Sequence, residues 1–459
     1  AARVAGRGSA LVGVTLFGLF SGTILNYSLA GFYDHHAAEV FFQSLGVFGF
    51  VTALAVAQRE QPVWELVADR DIDALRRPFG YSVAAGVAAA LYMWAWPPGV
   101  LLVGFTGIFF AVKITSDVYH DRSPEPIAFV GVVSMIVTGL LMFVPLNSFT
   151  ISGATNYSLL QVVLPLGVGI GCIFLSYFAR QWEARGIDRS WYPPTVGVMI
   201  LVSAIVFSTF VRDLIGSLIS RVGFSAGATA QTVGEATPPL ARQSAFNFIY
   251  SEYGLAFFAA LVAAVVVLAR PLVQSDDTRK TGYVVGSFAV IGIIYLATPA
   301  VDAIAGVFGT SWQVLGLVVV SGLLVGATFL HRYDAVDLYL LVWAAFITSA
   351  AFTQARFNYY LAVVVAVFTA IFVAQILDYV DLDIDTDSAK ESVRSLEGWQ
   401  IMTVAAVVLV LIVPLIYPVA GSAWAAGGNN GPGAVTQWDD TFEWMSNETP
   451  QPGELEGAD

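Results

Sequence analysis

An all-α polytopic membrane protein is the fold class this sequence predicts, on three observations. Hydrophobic residues make up 57% of its 459 residues and charged residues only 12%, well below the ~25% usual in soluble domains. Apolar runs of roughly 16 to 24 residues recur along nearly the whole chain, each about long enough to cross a hydrocarbon core of ~30 Å. The runs are continuous and do not alternate with polar residues, so they are helices and not barrel strands. The single cysteine, Cys172, sits inside such a run, which excludes a disulfide framework and a cysteine zinc site.

Arg3 and Arg7 precede the first run, so the positive-inside rule starts it in the cytoplasm and brings it out near Asp34. Further runs lie near 37–57, 80–95, 98–114, 126–146, 157–179 and 194–214. Loop 58–79 carries Arg59, Arg70, Arg76 and Arg77, and the next inner connections carry Lys113 and Arg122, then Arg180, Arg185 and Arg189. Every one falls inside. Loop 215–247 is then external, and runs near 248–269, 283–300, 311–330, 336–353, 357–377 and 400–420 keep the parity, with Arg270, Arg279, Lys280 and Arg332 again inside. The chain thus divides into a multi-span region 1–420 with its long external loop 215–247, and an external region 421–459. In the latter a Gly/Asn-rich linker at 425–433 precedes Trp438, Phe442 and Met445 at helical spacing behind Thr436, the expected first helix of an extracellular domain.

Net charge is −13 with pI near 4.7. The acids concentrate in loops and tail, where they hold hydration in concentrated salt, and a halophilic source is the expectation. No signal peptide is visible and the chain opens with Ala1, so an internal part of a longer protein is expected.

The chemistry collects at the predicted outer surface. Asp34-His35-His36 lies where an apolar run leaves the membrane, and Thr232-Val233-Gly234-Glu235 lies in the long external loop on the same face. Carboxylate and imidazole facing another carboxylate suggest a divalent-metal site. Asp34, His36, Glu39, Arg212, Asp213, Glu235, Glu252, Asp302 and Arg356 all fall at or near outer ends of runs. One such charge can simply face water; the set points to a lined cavity. The centres of the runs are nearly uncharged, whereas a transporter would place ionisable residues near the midplane. Trp94 and Trp96, in the turn ending Pro97-Pro98-Gly99, are interfacial anchors. The acidic run 378–387 lacks the central Gly and terminal Glu of a calcium loop and reads as a solvated inner loop.

These residues resemble one family, the catalytic subunit of N-linked oligosaccharyltransferases in its archaeal form. The resemblance runs from Ala30-Gly31-Phe32-Tyr33-Asp34-His35-His36 and Ala38-Glu39-Val40-Phe41-Phe42-Gln43 to Trp438-Asp439-Asp440. Asp34 and His36 match the family's second short acidic motif, which implies that they bind a divalent metal, Mn2+ or Mg2+. His35 matches a position associated with the lipid-linked donor. Thr232-Val233-Gly234-Glu235 matches the Thr-Ile-any-Glu motif, with Val for Ile, and implies that Glu235 engages the acceptor. Arg356, in Ala355-Arg356-Phe357-Asn358-Tyr359-Tyr360, matches an arginine facing substrate, donor or acceptor. The implied architecture is a GT-C-type glycosyltransferase helix bundle in the cell membrane, its active side facing the exterior.

The implied reaction moves a glycan from a dolichyl or other polyprenyl (di)phosphate carrier to the Asn amide nitrogen of an Asn-any-Ser/Thr sequon. Lipid-linked oligosaccharide, sequon-bearing secreted or surface proteins and the bilayer are the implied partners; nucleic acid is not among them. Catalysis would fall to Glu235, Asp34 and Arg356. Tyr27 stands where many members carry Arg, which implies that an ionic support of the second motif is absent. A preceding loop with a further metal-binding carboxylate and a following Trp-Trp-Asp-Tyr-Gly motif are not in the chain, so residues 1–459 alone are expected to be inactive as a transferase. Members have about thirteen spans in all, so one short pair among the runs above is expected to be overcounted. The rival readings are another polyprenyl-phosphate-dependent glycosyltransferase, such as a protein O-mannosyltransferase, and a lipid-carrier flippase or transporter. Asn447-Glu448-Thr449, itself a sequon in the exposed tail, is the best candidate for self-glycosylation.

Overall fold

A computed structural model describes residues 2–28, 35–58, 63–151, 155–206, 234–381, 397–416 and 438–449. Among the described residues the regular elements are α-helices and short 3-10 turns, with no strand. The helices, in order, are α1 (Ala2–Leu19), α2 (Thr23–Ser28), α3 (His35–Ala57), α4 (Val63–Ala68), α5 (Ile72–Ala95), α6 (Val100–Tyr119), α7 (Glu125–Leu141), α8 (Leu159–Ala184) and α9 (Tyr192–Val206). They continue as α10 (Ala245–Tyr253), α11 (Ala256–Val273), α12 (Thr278–Leu296), α13 (Thr298–Val307), α14 (Trp312–Leu330), α15 (Ala335–Thr353), α16 (Asn358–Tyr379), α17 (Gly398–Ile416) and α18 (Asp439–Glu448). Among the described residues, every apolar run overlaps at least one helix. Among the described residues, eight helices are long and apolar enough to cross a membrane, or nine when the bent pair α12–α13 is one span.

That bent pair corrects one detail of the sequence reading. The run near 283–300 is not one straight element: α12 and α13 meet at 90°. Ala297 leaves the helical conformation, and Pro299 in the first turn of α13 cannot continue the α12 hydrogen-bond ladder. The residues at 382–396 and 417–437, which include most of the acidic run and the glycine-rich linker, lie outside the described residues.

Small residues let the helices approach closely. A Cβ on Gly86 of α5 would collide with the Ser134 carbonyl of α7, and at this crossing Thr138 Oγ1 donates to the Gly86 carbonyl at 3.0 Å. Gly13 does the same between α1 and α16, where a Cβ would lie 2.7 Å from the Ala366 carbonyl oxygen. Around Tyr339 of α15, Phe50, Phe105 and Phe109 pack ring against ring, with centroids 5.1 to 5.7 Å away for Phe109 and Phe50 and 6.1 Å for Phe105.

The charged residues sort to two poles. At one, Asp117 Oδ1 receives Lys113 Nζ at 2.6 Å and Arg332 Nε at 2.8 Å, tying the end of α6 to the α14–α15 connection. Arg180 pairs with Glu125, Arg189 with Asp121, and Gln58, just past α3, donates to Asp334. These are residues of the connections read as inner. The His36 end of α3 lies at the other pole, ~34 Å away at the ~1.5 Å rise of a 23-residue helix. Lys113 and Asp117 are both buried. Removing one partner alone strands the other charge, so Asp117→Asn is expected to cost about 3–5 kcal/mol. Thermal unfolding in detergent should show a clearly lower Tm, and an unchanged Tm would contradict the pairing.

Candidate functional site at the His36 pole

The site starts from helical spacing. In α3, Glu39 lies four residues after His35 and three after His36, and side chains of a helix lean toward its N-terminus. Both imidazoles therefore meet the same carboxylate oxygen: His35 Nε2 and His36 Nδ1 each lie 3.2 Å from Glu39 Oε1. Glu39 has no solvent exposure.

The other carboxylate oxygen is taken by α16. Tyr359 and Tyr360, in its first turn, donate to Glu39 Oε2 at 2.9 and 2.6 Å. Tyr92, near the end of α5, donates in turn to the Tyr360 hydroxyl at 3.2 Å. Tyr359 Oη also lies 2.9 Å from His36 Nδ1. A phenol has one proton, and here it goes to the carboxylate, so the proton on this second contact belongs to the imidazole. His36 Nδ1 thus carries a proton, shared between Glu39 Oε1 and Tyr359 Oη, and Nε2 lies on the side of Glu235.

Aromatic rings hold that imidazole in place. Tyr27, at the end of α2, stacks on His36 with centroids 4.6 Å apart, and His35 and Tyr359 pack at 4.2 and 5.0 Å. Tyr27 thus contributes ring packing to the imidazole. Helix α2 is itself pinned by Glu252, whose Oε2 accepts the Thr23 amide at 2.8 Å and whose Oε1 accepts the Thr23 hydroxyl at 2.9 Å. Glu252 therefore belongs to the frame around the site.

Across from His36 stands Glu235, on a 3-10 turn at Gly234–Ala236. Its Oε2 lies 3.8 Å from His36 Nε2, too long for a hydrogen bond. Arg242 Nη2 donates to the Gly234 carbonyl at 2.8 Å, and the Thr237 carbonyl accepts the Ala355 amide at 3.1 Å. That last bond fastens the Glu235 turn to the 3-10 turn Ala355–Phe357 carrying Arg356. Among the described residues, the buried Arg356 Nε has no hydrogen-bond partner.

The structure thus brings His35, His36, Glu39, Glu235 and the Arg356 turn to one pole. Asp302 instead accepts the Trp312 amide at 3.1 Å at the start of α14. Asp34, Arg212, Asp213, Thr232 and Val233 lie outside the described residues.

His35, His36 and Glu39 offer ligand atoms within 4.8 Å of one another. Four donors already occupy the Glu39 oxygens, about as many as a carboxylate's lone pairs accept. His36 Nε2 and the Glu235 carboxylate face each other at 3.8 Å, a borderline N/O pair suited to a divalent cation. The residues fit such an ion.

The tyrosines escaped the sequence reading. Tyr359 and Tyr360 directly follow the Arg356 turn, but paired aromatics at the end of a span read as interfacial anchors. Only their contacts with Glu39, 320 and 321 positions away, separate them from that role.

Fold and site define the class: a polytopic helical membrane protein with a carboxylate–imidazole pocket at one pole. The family description "Oligosaccharyl transferase STT3, N-terminal" matches residues 1–232. The Haloferax volcanii protein named dolichyl-monophosphooligosaccharide–protein glycotransferase AglB is 44% identical over 475 residues, covering 99% of this chain and 44% of that protein. The archaeal oligosaccharyltransferase AglB from Archaeoglobus fulgidus, solved with an inhibitory peptide and a dolichol-phosphate, matches with TM-score 0.70 at 19% identity, over 98% of this chain and 44% of that one. The same organism's oligosaccharyltransferase, solved in complex with Zn and sulfate, matches with TM-score 0.59 at 18% identity, over 98% and 41%. The chain belongs to the oligosaccharyl transferase STT3 family. It spans less than half the length of the relatives it matches.

Since His36 Nε2 faces the Glu235 carboxylate, His36→Ala in the full-length protein is expected to weaken Mn2+ binding by more than about tenfold. Asp302→Ala should leave it unchanged. Isothermal titration with Mn2+ checks both; equal weakening by the two would remove His36 from the site.

Proposed function

We propose that this chain is the membrane part of an oligosaccharyltransferase that moves a glycan from a dolichyl phosphate-type carrier to the Asn of an Asn-any-Ser/Thr sequon. The observation that carries the reading is the facing pair His36 Nε2 and Glu235 Oε2 beside the Arg356 turn. The names of the relatives support it: a dolichyl-linked donor and protein acceptor in one, a bound peptide and dolichol-phosphate in another.

In the reaction, the bond from the anomeric carbon to the phosphate oxygen breaks, a bond from that carbon to the Asn amide nitrogen forms, and the nitrogen loses a proton. An amide nitrogen is a poor nucleophile because its lone pair is delocalised into the carbonyl. Glu235, partly exposed on its anchored turn, accepts an N–H of the acceptor amide and weakens that delocalisation. Asp34 and His36 would hold Mn2+ or Mg2+, which when bound would supply charge neutralisation at the leaving phosphate. His35, with its imidazole more than half exposed beside His36, contacts the donor. Arg356 offers a planar donor fork to phosphate or to a peptide carbonyl. The pole bearing these groups faces the cell exterior, as the distribution of basic residues requires. Residues 1–420 form the multi-span catalytic region, and 421–459 lead into an extracellular domain.

Transfer of lipid-linked glycan to an Asn-any-Thr peptide by the full-length protein tests the reading. Glu235→Gln keeps size and removes charge, so turnover should fall roughly 100-fold or more with little change in donor binding. Turnover and peptide affinity both near the parent's would refute acceptor activation. Arg356→Lys retains the charge but not the fork, and should lower kcat/KM about tenfold, the equivalent of ~1.4 kcal/mol. A kinetic match between that variant and the parent would make Arg356 a structural anchor only.

A further inference from the structure

Glu252 is a carboxylate at the His36 pole that the proposed reaction does not use. It lies at the end of α10, and both of its oxygens are spent on one residue of another helix. Oε2 accepts the Thr23 amide at 2.8 Å and Oε1 the Thr23 hydroxyl at 2.9 Å. The neighbouring positions interlock as well: Ser21 Oγ donates to the Ser251 carbonyl at 3.2 Å, and Phe20 meets Tyr253 edge-on with ring centroids 5.8 Å apart. Between them a Cβ on Gly22 would fall 2.8 Å from the Glu252 Cα, so glycine is what lets the two segments meet. Residues 20–23 and 251–253 thus form a clasp, in which the carboxylate satisfies an amide of the first turn of α2 that the helix itself cannot.

On one side of the clasp runs the stretch from the Glu235 turn to α10, bonded to the Arg356 turn through the Thr237 carbonyl. Tyr253 of the same stretch donates to the Asn358 carbonyl at 2.8 Å. On the other side is α2, where Tyr27 follows Thr23 by one turn. Tyr27 packs on His36 at 4.6 Å and edge-on against Tyr359 at 5.5 Å. Helix α2 has six residues, and so short a helix does not persist without tertiary support.

We propose that Glu252 is a positioning residue: by clasping Thr23 it holds α2 in place, and α2 holds Tyr27 against His36 and Tyr359. The inference rests on the oligosaccharyltransferase reading above and adds a residue that acts on the site through another. A double-mutant cycle in the full-length protein tests it, with kcat/KM for transfer of lipid-linked glycan to an Asn-any-Thr peptide as the readout. Glu252→Ala and Tyr27→Ala are each expected to lower kcat/KM about tenfold, while the two together cost less than about twofold more than either alone. Losses that multiply to about 100-fold, or a Glu252→Ala variant as active as the parent, would overturn the proposal.

Glu252→Gln keeps an oxygen for the Thr23 amide, and its NH2 donates to the Thr23 hydroxyl oxygen, so it should recover most of the activity, to within about threefold of the parent. A Gln variant as slow as the Ala variant would also overturn the proposal. Thr23→Val, which keeps the shape and removes one of the two bonds, takes the place of Glu252→Ala in the cycle if that variant fails to fold, with a loss of about threefold that likewise vanishes beside Tyr27→Ala. An active parent with independent losses sinks this inference alone. A full-length parent that transfers no glycan sinks the oligosaccharyltransferase reading and the inference with it.

Discussion

A buried carboxylate needs a hydrogen-bond donor for each of its lone pairs, and in this chain that requirement falls on Glu39. The donors come from the first turns of α3 and α16, and Tyr92 of α5 backs one of them. Three helix ends from distant parts of the sequence must therefore coincide to within hydrogen-bond distance. Once they do, the His36 ring has little freedom: its Nδ1 is engaged, Tyr27 and Tyr359 pack its faces, and Nε2 points toward Glu235. The chemistry of the pole is a consequence of satisfying one buried charge.

The rest of the bundle makes that coincidence possible. Helices can bring their ends together only if their bodies pack closely, and lipid supplies no hydrophobic drive between spans. Gly13 and Gly86 remove side chains where α1 meets α16 and α5 meets α7. At the far pole, Asp117 bridges Lys113 and Arg332, and so joins α6 to the connection leading into α15. Helix α15 then runs back to the Gln354–Phe357 turn that precedes Tyr359. The charges of that pole thereby help set the height at which α16 begins.

Much of this was legible in the sequence, and the reasons differ by feature. The spans follow from apolar length, a local property of the chain. His36 and Glu235 stood out because imidazole and carboxylate beside lipid are costly without a purpose. The resemblance to oligosaccharyltransferases implied roles for them. Glu39 was legible as a charge at a helix end, but not as the buried centre of a network, because its partners lie 320 and 321 positions away. Tyrosine at a span end has an ordinary interfacial explanation, so nothing marked Tyr92, Tyr359 and Tyr360 as donors. The 90° bend between α12 and α13 was missed for another reason: hydropathy is continuous through Ala297 and Pro299, while the backbone is not.

The central claim is that His36 is the imidazole that meets the divalent cation, through Nε2, with His35 beside it but engaged by Glu39. Electron spin-echo envelope modulation of full-length protein loaded with Mn2+ reads imidazole nitrogen coupled to the metal directly. The account predicts a histidine nitrogen coupling in the parent that persists in His35→Ala and disappears in His36→Ala. Coupling that survives His36→Ala, or that is lost with His35→Ala instead, would contradict it.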